Sequence, residues 1–214
     1  MFRRVGSAAV VCLSMSMHAA RFYPSVAQHG TTEQHRTTAH YRTTTQRGTT
    51  VQRQVLDEPP AMQIAVLYFV ASDCLYSDRY FPEMERLRRQ FESTKIGFRW
   101  IYPDQGEQLA NVQAHQKQFG APSGSARLDA DGAITRLAQT HITPEAAVLV
   151  RAQDGSWRTV YHGRIDDRYV RLGLERPHAQ RHDLQDAIRA AIDGKPAPPA
   201  DGSAVGCAIL GPSQ

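Results

Sequence analysis

IAVLYFVASDCLYSDRYFPEMERLRRQF, residues 64–91, is the stretch from which the rest of this 214-residue chain is read. Ile64 to Val70 is a run of β-branched, aromatic and aliphatic residues without polar alternation. That is the pattern of a short strand buried on both faces in the middle of a sheet. Beyond it Tyr80, Met84, Leu87 and Phe91 recur at helical spacing as one apolar stripe, while Glu83, Glu85, Arg86, Arg88 and Arg89 fill the other side. The spacing predicts an amphipathic helix. Cys74 falls in the turn between the two, where unpaired backbone N–H groups and the positive end of the helix dipole favour a thiolate over a thiol. A strand, a turn with one cysteine and an amphipathic helix point to a reactive sulfur.

Upstream, Phe2-Arg3-Arg4 supplies a positive start, Val5 to Met17 a short apolar run, and His18-Ala19-Ala20 a zone of small residues. This reads as a signal peptide over residues 1–20, cleaved near Ala20, with an apolar run too short to span a membrane. Ala9-Val10-Val11 before Cys12 lacks the small residue a lipid-anchored leader carries, and the surroundings of Arg3-Arg4 match a twin-arginine signal poorly. The expected location is therefore exported, periplasmic or extracellular. Of the three cysteines, Cys74 and Cys207 remain in the mature chain, in an oxidising compartment. Residues 21–60 are rich in Thr, Gln, His and Arg and nearly free of aliphatic side chains, so they read as a disordered linker. His29, His35 and His40 in it could bind a metal loosely, although a solvated polar linker accounts for them without one. The formal net charge of +4 is scattered rather than gathered into a basic stripe, which argues against a nucleic-acid partner.

The next segment, 61–196, has the length of one domain. Ile96 to Tyr102 reads as a second strand, Glu107 to Phe119 as a helix, Leu128 to Gly132 as a short strand and turn, and Ile134 to Gln139 as a short helix. Ala146 to Val150 and Trp157 to Tyr161, around Asp154-Gly155, read as a hairpin. A helix from about His182 to Ile192 closes the domain before Gly194 and Pro196. Residues 197–214, rich in Pro, Ala and Gly, read as a flexible tail carrying Cys207. The order is β-α-β-α, a connecting piece, then β-β-α.

Strand, cysteine at a helix start, β-α-β, then Thr143-Pro144 directly before a hairpin resembles the thioredoxin fold, an α/β architecture with a central mixed sheet flanked by helices. Cys74-Leu75-Tyr76-Ser77 stands where that family has Cys-x-x-Cys, Pro82 where it has a proline within the same helix, and Ile142-Thr143-Pro144 where it has its cis-proline. The motifs SDCLYSDRYFPEM, ITPEAAVL, YHGRIDDRYV, HDLQDAI, GKP and VGC resemble more specifically a bacterial group of exported redoxin-domain proteins, relatives of the alkyl hydroperoxide reductase and thiol-specific antioxidant family. The resemblance covers about Met62 to Ile209. On the residues alone Pro144 could equally be a trans proline entering a strand, and Pro82 could open a helix that begins only at Phe81.

The resemblance implies thiol–disulfide exchange with Cys74 as the attacking thiolate, Ser77 as a hydroxyl supporting the sulfur, and Thr143 and Pro144 as the platform for an extended substrate. Its motifs place Arg79, Tyr80, Glu145, Asp166, Asp167 and Arg168 around the substrate. The Gly163 to Tyr169 run, read by itself, is a solvated loop with internal ion pairs. Positions where a peroxiredoxin has Pro and Thr or Ser are Leu67 and Ala71, which speaks against peroxidase chemistry. Ser77 has no sulfur, so the only internal sulfur left to resolve Cys74 is Cys207, carried on a tether whose closure cost grows slowly with length. A 74–207 disulfide is expected. The expected partners are protein or small-molecule thiols and disulfides, including a neighbouring exported redox enzyme, with no cofactor, no nucleic acid and no membrane span. Two other readings stay open. Cys74 and Cys207, with His141 and His162, could be copper or zinc ligands, or the two cysteines could form a structural staple.

Overall fold

Why Ile64 to Val70 lacks alternation is plain in the computed structural model, which describes residues 56–199 and 202–210. The leader, Cys12, His29, His35, His40 and most of the polar stretch lie outside the described residues. Strand β1 (Ile64–Phe69) is buried throughout. β2 (Ile96–Tyr102) runs parallel to it and β3 (Ala126–Leu128) parallel to β2, whereas β5 (Glu145–Arg151) and β6 (Trp157–Gly163) are antiparallel. Together they form a five-stranded sheet of order β3-β2-β1-β5-β6, with β1 in the middle. The sheet is mixed, its parallel half on one side of β1.

Alternate residues of β1 feed two different cores, as the period-two geometry of a strand requires. Ile64, Val66 and Tyr68 pack with Tyr80, Phe81, Met84 and Leu87 of helix α1 (Leu75–Phe91) and with Leu184, Ala187 and Ile188 of helix α4 (Asp183–Ile192). Ala65, Leu67 and Phe69 face the other way, into a core completed by Ile101, Leu149, Trp157 and by Ile134 and Ala138 of helix α3 (Ala133–Ala138). Both faces are therefore dry, and a polar residue anywhere in β1 would have to be buried. The apolar stripe of α1 lies as its spacing predicts, with Met84 and Leu87 fully buried. Pro82 lies inside α1 rather than at its first position.

The outer edge of the parallel half is held by polar contacts. Helix α2 (Leu109–Gln118) places His115 between Tyr102, whose hydroxyl is 2.8 Å from Nδ1, and Asp78 of α1, 2.9 Å from Nε2. Gln116 Nε2 donates to the same Tyr102 hydroxyl at 3.1 Å, and Ser125 Oγ donates to Gln116 Oε1 at 3.0 Å, tying α2 to the start of β3. Burial pushes the Tyr102 phenol up to about 12, so it stays a neutral donor and acceptor. Asp129 accepts from the backbone N–H groups of Ile134 and Thr135, which gives α3 its N-terminal partner.

Four short strands carry no signal of their own in the sequence. Strand β4 (Ile142–Thr143) pairs antiparallel with β9 (Cys207–Ala208), with Thr143 opposite Cys207. After β6 the chain makes a small hairpin from β7 (Tyr169–Arg171) and β8 (Leu174–Glu175), just beyond the Gly163 to Tyr169 run that the sequence alone reads as a loop. Tyr76 at the start of α1 accepts from Gly173 N–H at 2.8 Å and packs edge-on against Tyr169, which ties this hairpin to the first turn of α1. Gly173, at φ +76, supplies the left-handed residue of the turn. No helix of the described residues is long and apolar enough to cross a membrane.

Candidate active site

Cys74 is the N-cap of α1, in extended conformation at φ −101 and ψ 107, so its side chain leaves the chain where the helix exposes its free N–H groups. Its carbonyl accepts the first helical hydrogen bond, from Asp78 N–H at 3.1 Å. The side chain is fully buried and forms a disulfide with Cys207, the two Cα atoms 6.3 Å apart. Cys74 Sγ lies 3.3 Å from the Thr143 carbonyl oxygen, which would accept the S–H of a reduced Cys74. The Thr143-Pro144 peptide bond is cis, the isomer the family resemblance implies. Cys74, Thr143, Pro144 and Cys207, up to 133 positions apart in the chain, thus meet at one point above the ends of β1 and β5.

The tail reaches this point as a seated strand. Ala204 is buried, Val205 packs against the main core, Thr143 Oγ1 donates to the Cys207 carbonyl at 3.4 Å, and Ile209 N–H donates to the His141 carbonyl at 2.9 Å. Beside the disulfide a cavity of about 150 Å3 opens between Ala71, Asp73, Pro103, Thr143 and Ile209. The β4–β9 pairing, these hydrogen bonds and the packing of Val205 hold Cys207 against β4.

Ser77 is buried on the first turn of α1, but its hydroxyl accepts from Ala71 N–H at 3.2 Å. That bond braces the turn carrying Cys74 by satisfying an amide left open beyond the end of β1. The six residues expected around the substrate divide into two sets. Tyr80, Asp166 and Asp167 are buried and engaged internally. Tyr80 donates to Asp166 Oδ1 at 2.6 Å, Arg168 N–H donates to the same oxygen at 2.9 Å, and Asp167 Oδ1 accepts from Gln180 and Arg181 N–H at 2.7 and 2.9 Å. Burial acts to raise the Asp167 carboxyl, but those two N–H groups and the Arg176 guanidinium win and hold it below the usual carboxylate range. Arg79, Arg168 and Glu145 stand further out. Arg79 and Arg168 share Glu175 at 3.7 and 3.2 Å, and Glu145 accepts from His141 N–H at 3.1 Å.

Asp166 behaves differently. Burial raises its carboxyl above the usual range, against the hydrogen bonds from Tyr80 and Arg168 N–H that lower it. The native group therefore keeps its proton to higher pH than the unfolded one, which ionises near ~3.9. The stability this proton contributes is fully present below the unfolded value and is lost as pH rises through the native one. Asn keeps an acceptor for Tyr80 and Arg168 N–H without the charge. The unfolding free energy of Asp166→Asn protein, measured by urea denaturation between about pH 3 and pH 7, should accordingly gain on wild type as pH rises. A constant difference across that range would contradict it.

The metal ligands considered from sequence are not brought together. Cys74 and Cys207 are joined to each other, and among the described residues the group of side chains whose ligand atoms converge is Glu83, Asp166 and His182, which includes no cysteine and neither His141 nor His162. Glu83 there is held by Arg86 through both carboxylate oxygens, at 2.6 and 2.7 Å.

No family model matches the chain, and none of the curated proteins does. Solved structures do. An uncharacterized conserved protein of Geobacillus kaustophilus is 21% identical over 71% of this chain and 79% of its own, with a TM-score of 0.55. A hypothetical protein of Sinorhizobium meliloti is 19% identical over 72% of this chain and 82% of its own, with a TM-score of 0.59. At these identities the likeness is one of fold, and a mixed five-stranded sheet flanked by helices, with a cysteine at the head of α1 facing a cis-proline, makes that fold thioredoxin-like.

Proposed function

We propose that this chain is an exported thiol–disulfide oxidoreductase of the redoxin or thioredoxin-like type, with Cys74 as the exchanging sulfur and Cys207 as its resolving partner. The observation that carries the reading is the closure of Cys74 on Cys207 at the N-terminus of α1, against the Thr143 edge. In the reductive direction the Cys74 thiolate attacks one sulfur of a substrate disulfide, and the other leaves as a substrate thiolate. The Cys207 thiolate then attacks the Cys74 sulfur of the mixed disulfide, a second substrate thiolate leaves, and the 74–207 disulfide closes with two electrons passed to substrate. Substrate thiols run the same steps backwards.

Thr143 and Pro144 form the platform on which an extended substrate pairs, and Ser77 holds the turn that presents the sulfur. Tyr80, Asp166 and Asp167 shape the rim from within, leaving Arg79, Glu145 and Arg168 to meet substrate. Exposed Leu75, Leu172 and Leu174 lie on the first turn of α1 and on the hairpin tied to it, which favours a protein partner over a small thiol. Export rests on the positive and apolar leader at residues 1–20.

The test is the alkylation rate of reduced Cys207→Ser protein with iodoacetamide as a function of pH. The helix N-terminus should bring the midpoint below the ~8.5 of a free thiol. A midpoint at or above that value removes the activated nucleophile.

A further inference from the structure

The seat of the tail restricts what can reach Cys74 more sharply than the fold does. Thr143 stands opposite Cys207, so Gly206 crosses directly over the Thr143 carbonyl group. A Cβ built on Gly206 would fall well inside contact with the Thr143 carbonyl oxygen, 2.7 Å from the carbonyl carbon and 3.0 Å from Pro144 Cδ. Neither neighbour has room to retreat. Thr143 and Pro144 are both buried, and the chain passes straight into β5, which is hydrogen-bonded on both sides within the sheet. On the other flank the constraint disappears. Ala208 is exposed, and beyond it Ile209 and Leu210 form part of the wall of a groove of about 550 Å3 that also includes Pro103, Arg136 and His141.

We propose that residues 206–209 are the resident occupant of the substrate seat, and that the polypeptides exchanging with Cys74 are those whose cysteine directly follows a glycine. This deepens the oxidoreductase reading and rests on it. The register of an incoming strand is not free, because its sulfur must bond Cys74, whose Sγ is held 3.3 Å from the Thr143 carbonyl oxygen. A strand bonded there in the tail's place sets its preceding residue on that carbonyl, where only the absence of a side chain avoids a clash with backbone. Residues after the cysteine take the exposed place of Ala208 and the groove-wall places of Ile209 and Leu210, and are read loosely. The tail must leave first, so reduction of the 74–207 bond or attack on Cys74 by a substrate thiolate, with Cys207 departing as thiolate, vacates the seat.

Two seven-residue peptides, Ala-Val-Gly-Cys-Ala-Ile-Leu and Ala-Val-Ala-Cys-Ala-Ile-Leu, each carried as the mixed disulfide with thionitrobenzoate, provide the test on reduced full-length Cys207→Ser protein. The Cys74 thiolate attacks the peptide sulfur, and the coloured thionitrobenzoate thiolate leaves with the electron pair. Rates are divided by those of the same peptides with free cysteine, which removes intrinsic reactivity, and the sulfur-free tail of the variant competes equally with both. The glycine peptide should react at least about tenfold faster. In chains with both cysteines, Gly206→Ala should lower the equilibrium constant for closing the 74–207 disulfide against glutathione by about tenfold or more, while Ser203→Ala, at an exposed position of the tail outside 206–209, leaves it unchanged. Equal peptide rates, or closure unaffected by Gly206→Ala, overturn the glycine rule while leaving exchange at Cys74 intact. If neither peptide reacts although iodoacetamide alkylates Cys74, the oxidoreductase reading falls and the glycine rule with it.

Discussion

Serine at position 74 should reduce the catalysed exchange of protein disulfides by at least about a thousandfold, to the rate of the uncatalysed background, because an alcohol neither ionises near neutral pH nor forms the S–S intermediate. Serine at position 207 should give a different phenotype. Cys74 remains at the head of α1 with its free N–H groups, so the first attack proceeds, but no second sulfur faces it to release the product. A mixed disulfide on Cys74 accumulates and is visible as a mass shift that dithiothreitol removes. The contrast between a dead variant and a trapped one separates the two sulfurs, and near-normal turnover by Cys74→Ser protein would place the chemistry elsewhere. Turnover by Cys207→Ser protein without a trapped species would instead mean that an external thiol resolves Cys74.

The second large effect is in stability, and it distinguishes an exchanging disulfide from a staple. Cys74 and Cys207 are 133 residues apart in the chain, so a cross-link between them removes much of the freedom of the unfolded state. The chain-entropy relation puts this at about 5 kcal/mol for a loop of such length. A staple should therefore melt roughly 10–20 °C higher when oxidised than when reduced. By linkage, whatever the bridge adds to the fold, the fold adds to the bridge's resistance to reduction, about 1.4 kcal/mol for every 30 mV. In an exchanging pair the reduced state has its own stabilisation. The Cys74 thiolate would sit at the N-terminus of a 17-residue helix, and the tail is held otherwise by a two-residue strand pair and a few apolar contacts. A helix terminus stabilises such a thiolate by up to about 2 kcal/mol, so the gap between oxidised and reduced protein at pH 7 should narrow to roughly 6–12 °C. A gap near the full entropic value would favour the staple and argue against catalysis.

What the sequence determined by itself are the elements whose signal is local. Ile64 to Val70 declares a strand buried on both sides because each of its side chains is apolar, and Tyr80, Met84, Leu87 and Phe91 declare a helix because their spacing closes one stripe. With those two in place Cys74 could only be the link between them, and the hairpin around Asp154-Gly155 and the helix ending before Gly194 carried turn and stop residues of their own. The pairing of Cys207 with Cys74 is already expected from the sequence, but tertiary structure alone decided the strand register in which the tail docks and what the charged rim does. β4 and β9 are two residues each, too short for any periodicity, and they pair only because the sheet delivers Thr143 to the place that Cys207 must reach. Asp166 and Asp167 read as solvated because aspartate usually is. They are buried because donors remote from them in sequence, the Tyr80 hydroxyl and the Gln180 and Arg181 N–H groups, replace the water they lose. Gly206 entered the sequence reading only as part of the VGC motif, and its reason, a neighbouring carbonyl lying where its side chain would be, exists only once the chain has folded.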